Sequence, residues 1–253
     1  MPDTINYTAF ALVLMRMSGC VFFNPIIGRR NLPNYFKVGM TLLFTLVILS
    51  YASPVVPEIS SSVGYITALL REFIIGYVIG FIITLFNFVI IFGGEISDLQ
   101  MGISMSKIYD PQSNVSMSMS ATYYNILYMF MFFAASGHIT LIRIFLISGD
   151  IVAYGGGALS PGVSSAMVSL FCQCTVLAVK LALPIVAIEL LVEAGVGILM
   201  KAIPQINVFV INIQTKLLIG ILMIAVLFTP FANFFDRLVT LMFDTIGNIV
   251  QLI

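Results

Sequence analysis

Long apolar runs fill the chain, and short clusters of charge, proline and glycine separate them. Residues 5–28 are apolar apart from Arg16, after which Arg29, Arg30, Pro33 and Lys37 make a short basic turn. Residues 38–52 are apolar, and Pro54 and Pro57 close that run before Glu58. A third run covers 63–92, interrupted by Arg71 and Glu72. The stretch from Gly93 to Ser120 is the most polar part of the chain. Apolar character returns over 123–147, and Gly155, Gly156, Gly157 and Pro161 mark a turn. Residues 165–200 are apolar except for Lys180, Glu189 and Glu193. Pro204 opens a new unit, whose run over 206–235 is interrupted by Lys216. Asp236-Arg237 then begins a last helical piece, with Leu238, Leu241, Met242 and Val250 roughly on one face.

A membrane-crossing helix takes about 20 mostly apolar residues. The pattern therefore predicts about six hydrophobic helical segments joined by polar turns. Alternating segments of about ten residues, the mark of a membrane β-barrel, are not visible. Backbone groups in lipid must be satisfied within their own segment, so the expected class is an all-α integral membrane protein.

Composition agrees. Of 253 residues, 60% are hydrophobic and 9% charged, against about 45–50% apolar and about 25% charged in soluble domains. A soluble enzyme, a nucleic-acid binder and a disordered tail are excluded. Basic and acidic residues balance at 11 each, which leaves no long-range field to steer anions. The length leaves no room for a separate soluble domain, so 1–253 is expected to form one membrane-embedded domain. Cys20, Cys172 and Cys174 are too few for a disulfide framework and sit in apolar stretches as small hydrophobes. Met1 to Thr4 lacks a basic n-region, so the first apolar stretch is expected to be kept. The basic turn at 29–37 favours a cytoplasmic first loop.

Charges inside the apolar runs carry the information. Each costs about 2.5–3.5 kcal/mol at the centre of a spanning helix, so helices holding Arg16, Arg71, Glu72, Lys180, Glu189, Glu193 and Lys216 face protein or water as well as lipid. Arg71, Glu72, Lys201 and Arg237 fit snorkelling near helix ends. Arg16 and Lys180 lie mid-run and point to buried pairing or a subunit contact. Glu72, Gly76, Gly80 and Thr84 recur every four residues and make one small or polar stripe. Gly76-x-x-x-Gly80 admits close approach of another helix, from this chain or from another subunit. Glu189 and Glu193 share a face and call for a polar lumen or a basic partner.

The connection from Gly93 to Ser120 is the strongest functional candidate. It holds about 28 residues, where bundled helices are usually joined by about 2–8. Glu95, Asp98, Lys107 and Asp110 lie in it, with Met101, Met105, Met117 and Met119 as adaptable gap-fillers. Asp110-Pro111 breaks a helix. A broken, polar, Met- and Ser-rich segment suits a constriction or plug.

Motifs for covalent chemistry do not assemble. The single histidine, His138, excludes paired-His zinc-protease spacing. Gly155-Gly156-Gly157 lacks the Lys and Ser/Thr of a P-loop, and Gly-x-Ser-x-Gly is absent. Tyr109-Asp110 and Gly149-Asp150 loosely resemble the aspartates of intramembrane aspartyl proteases, but neither lies mid-span and the downstream Pro-Ala-Leu is missing. No catalytic residue, cofactor or metal is expected.

An ordered series of short motifs over nearly the whole chain resembles the FliR/SctT family of type III export-gate proteins. Arg16-Met17-Ser18-Gly19, Asn24-Pro25-Ile26 and Leu32-Pro33 match its first segment and turn. Gly93-Gly94-Glu95-Ile96, Gln100-Met101-Gly102, Ser104-Met105 and Asp110-Pro111-Gln112-Ser113 match its most recognisable stretch. Gly137-His138, Leu183-Pro184, Gly197, Pro204-Gln205-Ile206-Asn207-Val208-Phe209 and Lys216 follow in order. The chain departs from the family at Asn34, Tyr35 and Asn212, where a basic residue or glycine is common.

The resemblance implies a subunit of the bacterial flagellar export gate, in the inner membrane and the flagellar basal body. Some segments would be broken or arranged as helix-turn-helix hairpins, in a helical stack with FliP and FliQ homologues around a pore. FlhB and FlhA homologues would be neighbours, exported flagellar proteins the substrates, and membrane lipid the surroundings, with no nucleic acid. Ser106, Lys107, Ile108, Tyr109, Asp110, Pro111, Gln112, Ser113, Met117 and Met119 would belong to the plug, within 106–120. Arg16, Glu72, Gly76, Gly80, Glu95, Lys180, Glu189, Glu193, Gln205 and Asn207 are the candidates for subunit contact. The alternatives are the injectisome branch of the same family and a self-contained secondary transporter with broken helices and buried charges.

Overall fold

The computed structural model describes residues 7–29, 32–52, 61–104, 118–156, 160–203 and 208–253, with the backbone alone at 208–210. Among them there is no strand. Eight helices follow in order: α1 (Tyr7–Phe22), α2 (Asn34–Ala52), α3 (Ser62–Met101), α4 (Met119–Ala134), α5 (Gly137–Ile151), α6 (Pro161–Ala202), α7 (Val208–Val226) and α8 (Phe228–Val250). By length and apolar composition α2, α3 and α6 qualify as membrane spans, and the bent pairs α4–α5 and α7–α8 raise the number to as many as five. The chain is an all-α integral membrane protein.

The six apolar segments reappear, two of them broken. The 123–147 run is two helices bent by 68°. Between them Ser136 takes a left-handed conformation at φ 55, where α-helical hydrogen bonding cannot continue. The second break, of 61°, falls at Leu227 between α7 and α8. Pro230 supplies the reason: it has no N–H for the Val226 carbonyl, and its ring crowds that carbonyl. The last helix thus starts at Phe228, eight residues before the Asp236-Arg237 start expected from charge.

Other ends follow local chemistry. Asn24 turns the chain after α1, its Oδ1 accepting the N–H of Ile26 at 2.8 Å and of Ile27 at 3.3 Å. Ser118 caps α4, its Oγ accepting the Ala121 N–H at 3.1 Å. Pro161 stands first in α6, where its missing N–H costs nothing.

The polar stretch after residue 92 is a correction. Gly93 to Met101 continue α3 rather than opening a loop. Gly93 and Gly94 are packing residues. A side chain at Gly94 would collide with Ala121 of α4, and one at Gly93 would lie 2.8 Å from the Leu181 side chain of α6.

The residues gather into two compact units. One comprises Met1–Phe86, Ser136–Phe171 and Val239–Ile253; the other comprises Asn87–Ala135 and Cys172–Leu238. In the first, α1 lies against α2 and α3, and Phe44 of α2 meets Phe145 of α5 edge-on at 5.7 Å. In the second, Tyr124 of α4 packs on Phe231 of α8 with ring centroids 5.0 Å apart.

Candidate functional site

In the first unit the interior charges form a knot. Arg16 of α1 and Glu72 of α3 are 0% and 1% exposed, and Arg16 Nε donates to Glu72 Oε2 at 2.6 Å. Arg16 Nη1 donates to the Ser148 carbonyl at the end of α5, at 2.8 Å. The other Glu72 oxygen, Oε1, accepts the Gly155 N–H at 2.9 Å. The guanidinium carbon stands 4.1 Å from the centre of the Tyr154 ring. One ion pair therefore ties α1, α3, α5 and the turn after α5. Snorkelling does not describe Glu72, because its carboxylate is consumed inside the protein; Arg71 next to it is exposed, as are Lys201 and Arg237.

The Gly76–Gly80 stripe lies beside the knot, and the helix it admits is α1 of the same chain. A Cβ at Gly76 would run into the Arg16 carbonyl, and one at Gly80 would lie 3.1 Å from the Gly19 carbonyl oxygen. Thr84 continues the stripe and donates to the Phe23 carbonyl at 2.8 Å. Arg16, Glu72, Gly76 and Gly80 are thus internal contacts. Sequence reasoning found Arg16 and Glu72 but missed Tyr154, Ser148 and Gly155. Two of these act through backbone groups, which every residue carries.

The second unit holds the remaining described candidates. Glu95 is exposed on α3 and Lys180 on α6. Glu189 is fully buried, whereas Glu193 accepts from Lys216 of α7 at 3.1 Å. Asp98, within the stretch expected to be a loop, lies near the end of α3 and is 1% exposed. Its carboxylate accepts the Ser120 N–H at 3.1 and 3.3 Å, at the start of α4. Ser118 and Ser120 are likewise buried, and 118–120 form the capped start of α4. Met119 is exposed there. Ser106, Lys107, Ile108, Tyr109, Asp110, Pro111, Gln112, Ser113 and Met117 lie outside the described residues, as do Gln205 and Asn207. Among the described residues no group of three or more His, Cys, Asp or Glu side chains is placed to hold a metal ion.

A helical membrane chain with paired interior charges and two broken segments is what the family comparison meets. The model of the bacterial export proteins, family 1, matches residues 7–242. The chain belongs to that family. Its relatives include the flagellar biosynthetic protein FliR of Escherichia coli (strain K12), 27% identical over 94% of this chain and 91% of the relative. FliR of Bacillus subtilis (strain 168) is 24% identical over 98% and 96%. FliR of Aquifex aeolicus (strain VF5) is 20% identical over 88% and 87%. As an export-family chain, it carries the buried Arg16–Glu72 pair at the α1–α3 seam, inside the matched region.

Proposed function

We propose that this chain is a structural and gating subunit of the flagellar type III protein export gate, working without covalent chemistry. It acts as one membrane-embedded domain over 1–253, in the bacterial inner membrane and the flagellar basal body. It builds the core pore with FliP and FliQ homologues, next to FlhB and FlhA homologues, and unfolded flagellar proteins pass through. The observation that carries this reading is the family match over 7–242, with FliR proteins as full-length relatives.

The surface supports partnership. Lys180 is exposed on α6 among Val176, Val179 and Leu183, which are 53%, 46% and 54% exposed. A lysine on such a face would cost about 2.5–3.5 kcal/mol against lipid at mid-span. Another subunit with a polar or acidic group meets it better.

Gentle purification from the native host, followed by native mass spectrometry, tests the reading. A large hetero-oligomer with one copy of this chain and several copies of two other small membrane proteins is expected. A stable monomer or homodimer would overturn it in favour of a secondary transporter. Within the same reading, residues 106–120 obstruct the resting pore. Deleting them should raise the leakage of small solutes across the membrane, and unchanged permeability would remove the plug from the proposal.

A further inference from the structure

Three acidic side chains that the structure buries are treated in two ways. Glu72 has Arg16 and the Gly155 N–H, and Asp98 has the Ser120 N–H. Glu189 is 0% exposed, and among the described residues neither of its carboxyl oxygens has a hydrogen-bond partner. An unpaired carboxylate out of water costs several kcal/mol, which a neighbouring cation normally offsets.

The surroundings of Glu189 are defined by the α6–α7 hairpin. Glu189 and Glu193 lie one turn apart on α6, and Lys216 and Gly220 one turn apart on α7. Lys216 Nζ donates to Glu193 Oε2, which is half-exposed. One turn along, Glu189 Oε1 sits where Gly220 leaves room, 3.1 Å from the position of an added Cβ. The Met101 thioether of α3 fills the same notch. Among the described residues, the groups facing Glu189 are Glu193 on its own helix, Lys216 on α7 and the apolar Met101 on α3. Lys216, one turn away, is engaged with Glu193. A proton on the carboxyl removes that cost without needing a partner.

We propose that Glu189 is a proton-binding site in the α6–α7 hairpin. The carboxyl holds a proton while Lys216 pairs with Glu193. When the proton leaves to water, Lys216 Nζ moves one turn from Glu193 to Glu189 and replaces its charge. Glu193 tolerates the exchange because it is 53% exposed and water solvates it. This inference rests on the hairpin geometry alone and stands apart from the flagellar reading, and its test uses the chain in whatever assembly it purifies in.

Infrared spectroscopy of the full purified complex tests it. A carboxylic C=O band present at neutral pH should disappear in Glu189→Gln, while the melting temperature stays unchanged because the amide mimics the protonated acid. In Lys216→Met the band should persist to higher pH, since the replacing cation is gone. If Glu189→Gln removes carboxylate intensity and leaves the carboxylic region unchanged, the proposal is overturned. Should that variant fail to assemble, dicyclohexylcarbodiimide treatment of the wild-type complex with peptide mapping decides. An adduct on Glu189 supports a protonated carboxyl, and modification confined to Glu193 refutes it.

Discussion

Replacing Glu72 by Leu with Arg16 left in place should destabilise the chain by about 3–5 kcal/mol, the cost of leaving one partner of a buried pair uncompensated. Arg16 would keep its bond to the Ser148 carbonyl and its place over Tyr154, but nothing there carries negative charge. The Gly155 N–H would lose its acceptor as well. Removing both partners together, as Arg16→Met with Glu72→Leu, should recover most of the loss, because hydrophobic replacement of a whole buried pair is often neutral or better. Glu72→Gln should fall between the two, since the amide oxygen still accepts from one donor. Thermal melting of the wild type, Glu72→Leu, Arg16→Met, the double variant and Glu72→Gln in the same detergent measures all of this, the first four as a double-mutant cycle. If the double variant is as unstable as the sum of the singles, the pair is not coupled and the knot is misread.

The sequence made the apolar segments legible because a spanning or buried helix needs a long apolar run, and few other structures permit one. It made the interior charges legible as paired or partner-facing, because a lone charge there is expensive. It did not identify what pairs with them. The Arg16–Glu72 bond joins residues 56 apart, and the rest of the knot comes from a backbone carbonyl, a backbone N–H and a ring face. The helix breaks were unequally visible. Pro230 holds a signal for the second one that the unbroken hydropathy of 206–235 conceals, whereas Ala135 and Ser136 differ little from residues that helices accept elsewhere in this chain. Gly93 and Gly94 misled in the opposite direction, because glycine marks turns and close helix contacts alike. Asp98 could not be told from a loop carboxylate, since the N–H it accepts is 22 residues away.

Gly76→Leu should prevent α1 from seating on α3, and the chain should neither reach its wild-type melting temperature nor enter a larger assembly. The obstacle is backbone. A Cβ at Gly76 meets the Arg16 carbonyl and lies 3.0 Å from the Cys20 nitrogen, and neither can rotate aside as a side chain would. The contact is reciprocal: a Cβ at Gly19 of α1 would lie 2.5 Å from the Tyr77 nitrogen and 2.6 Å from the Phe73 carbonyl oxygen. Even Gly76→Ala should therefore fall at or beyond the upper end of the about 1–3 kcal/mol that overpacking usually costs. Moving the two helices apart to admit the methyl would also stretch the 2.6 Å Arg16–Glu72 bond, which lies one turn away. Gly39 provides the control. It sits on an exposed face of α2 with nothing within 4 Å of an added Cβ, so Gly39→Ala should be neutral or stabilise by about 0.5–1 kcal/mol through helix propensity. Equal melting temperatures for Gly76→Leu and the wild type would mean that α1 and α3 do not meet at this seam. A large loss for Gly76→Ala beside none for Gly39→Ala would locate the requirement for glycine in the helix contact and not in the helix itself.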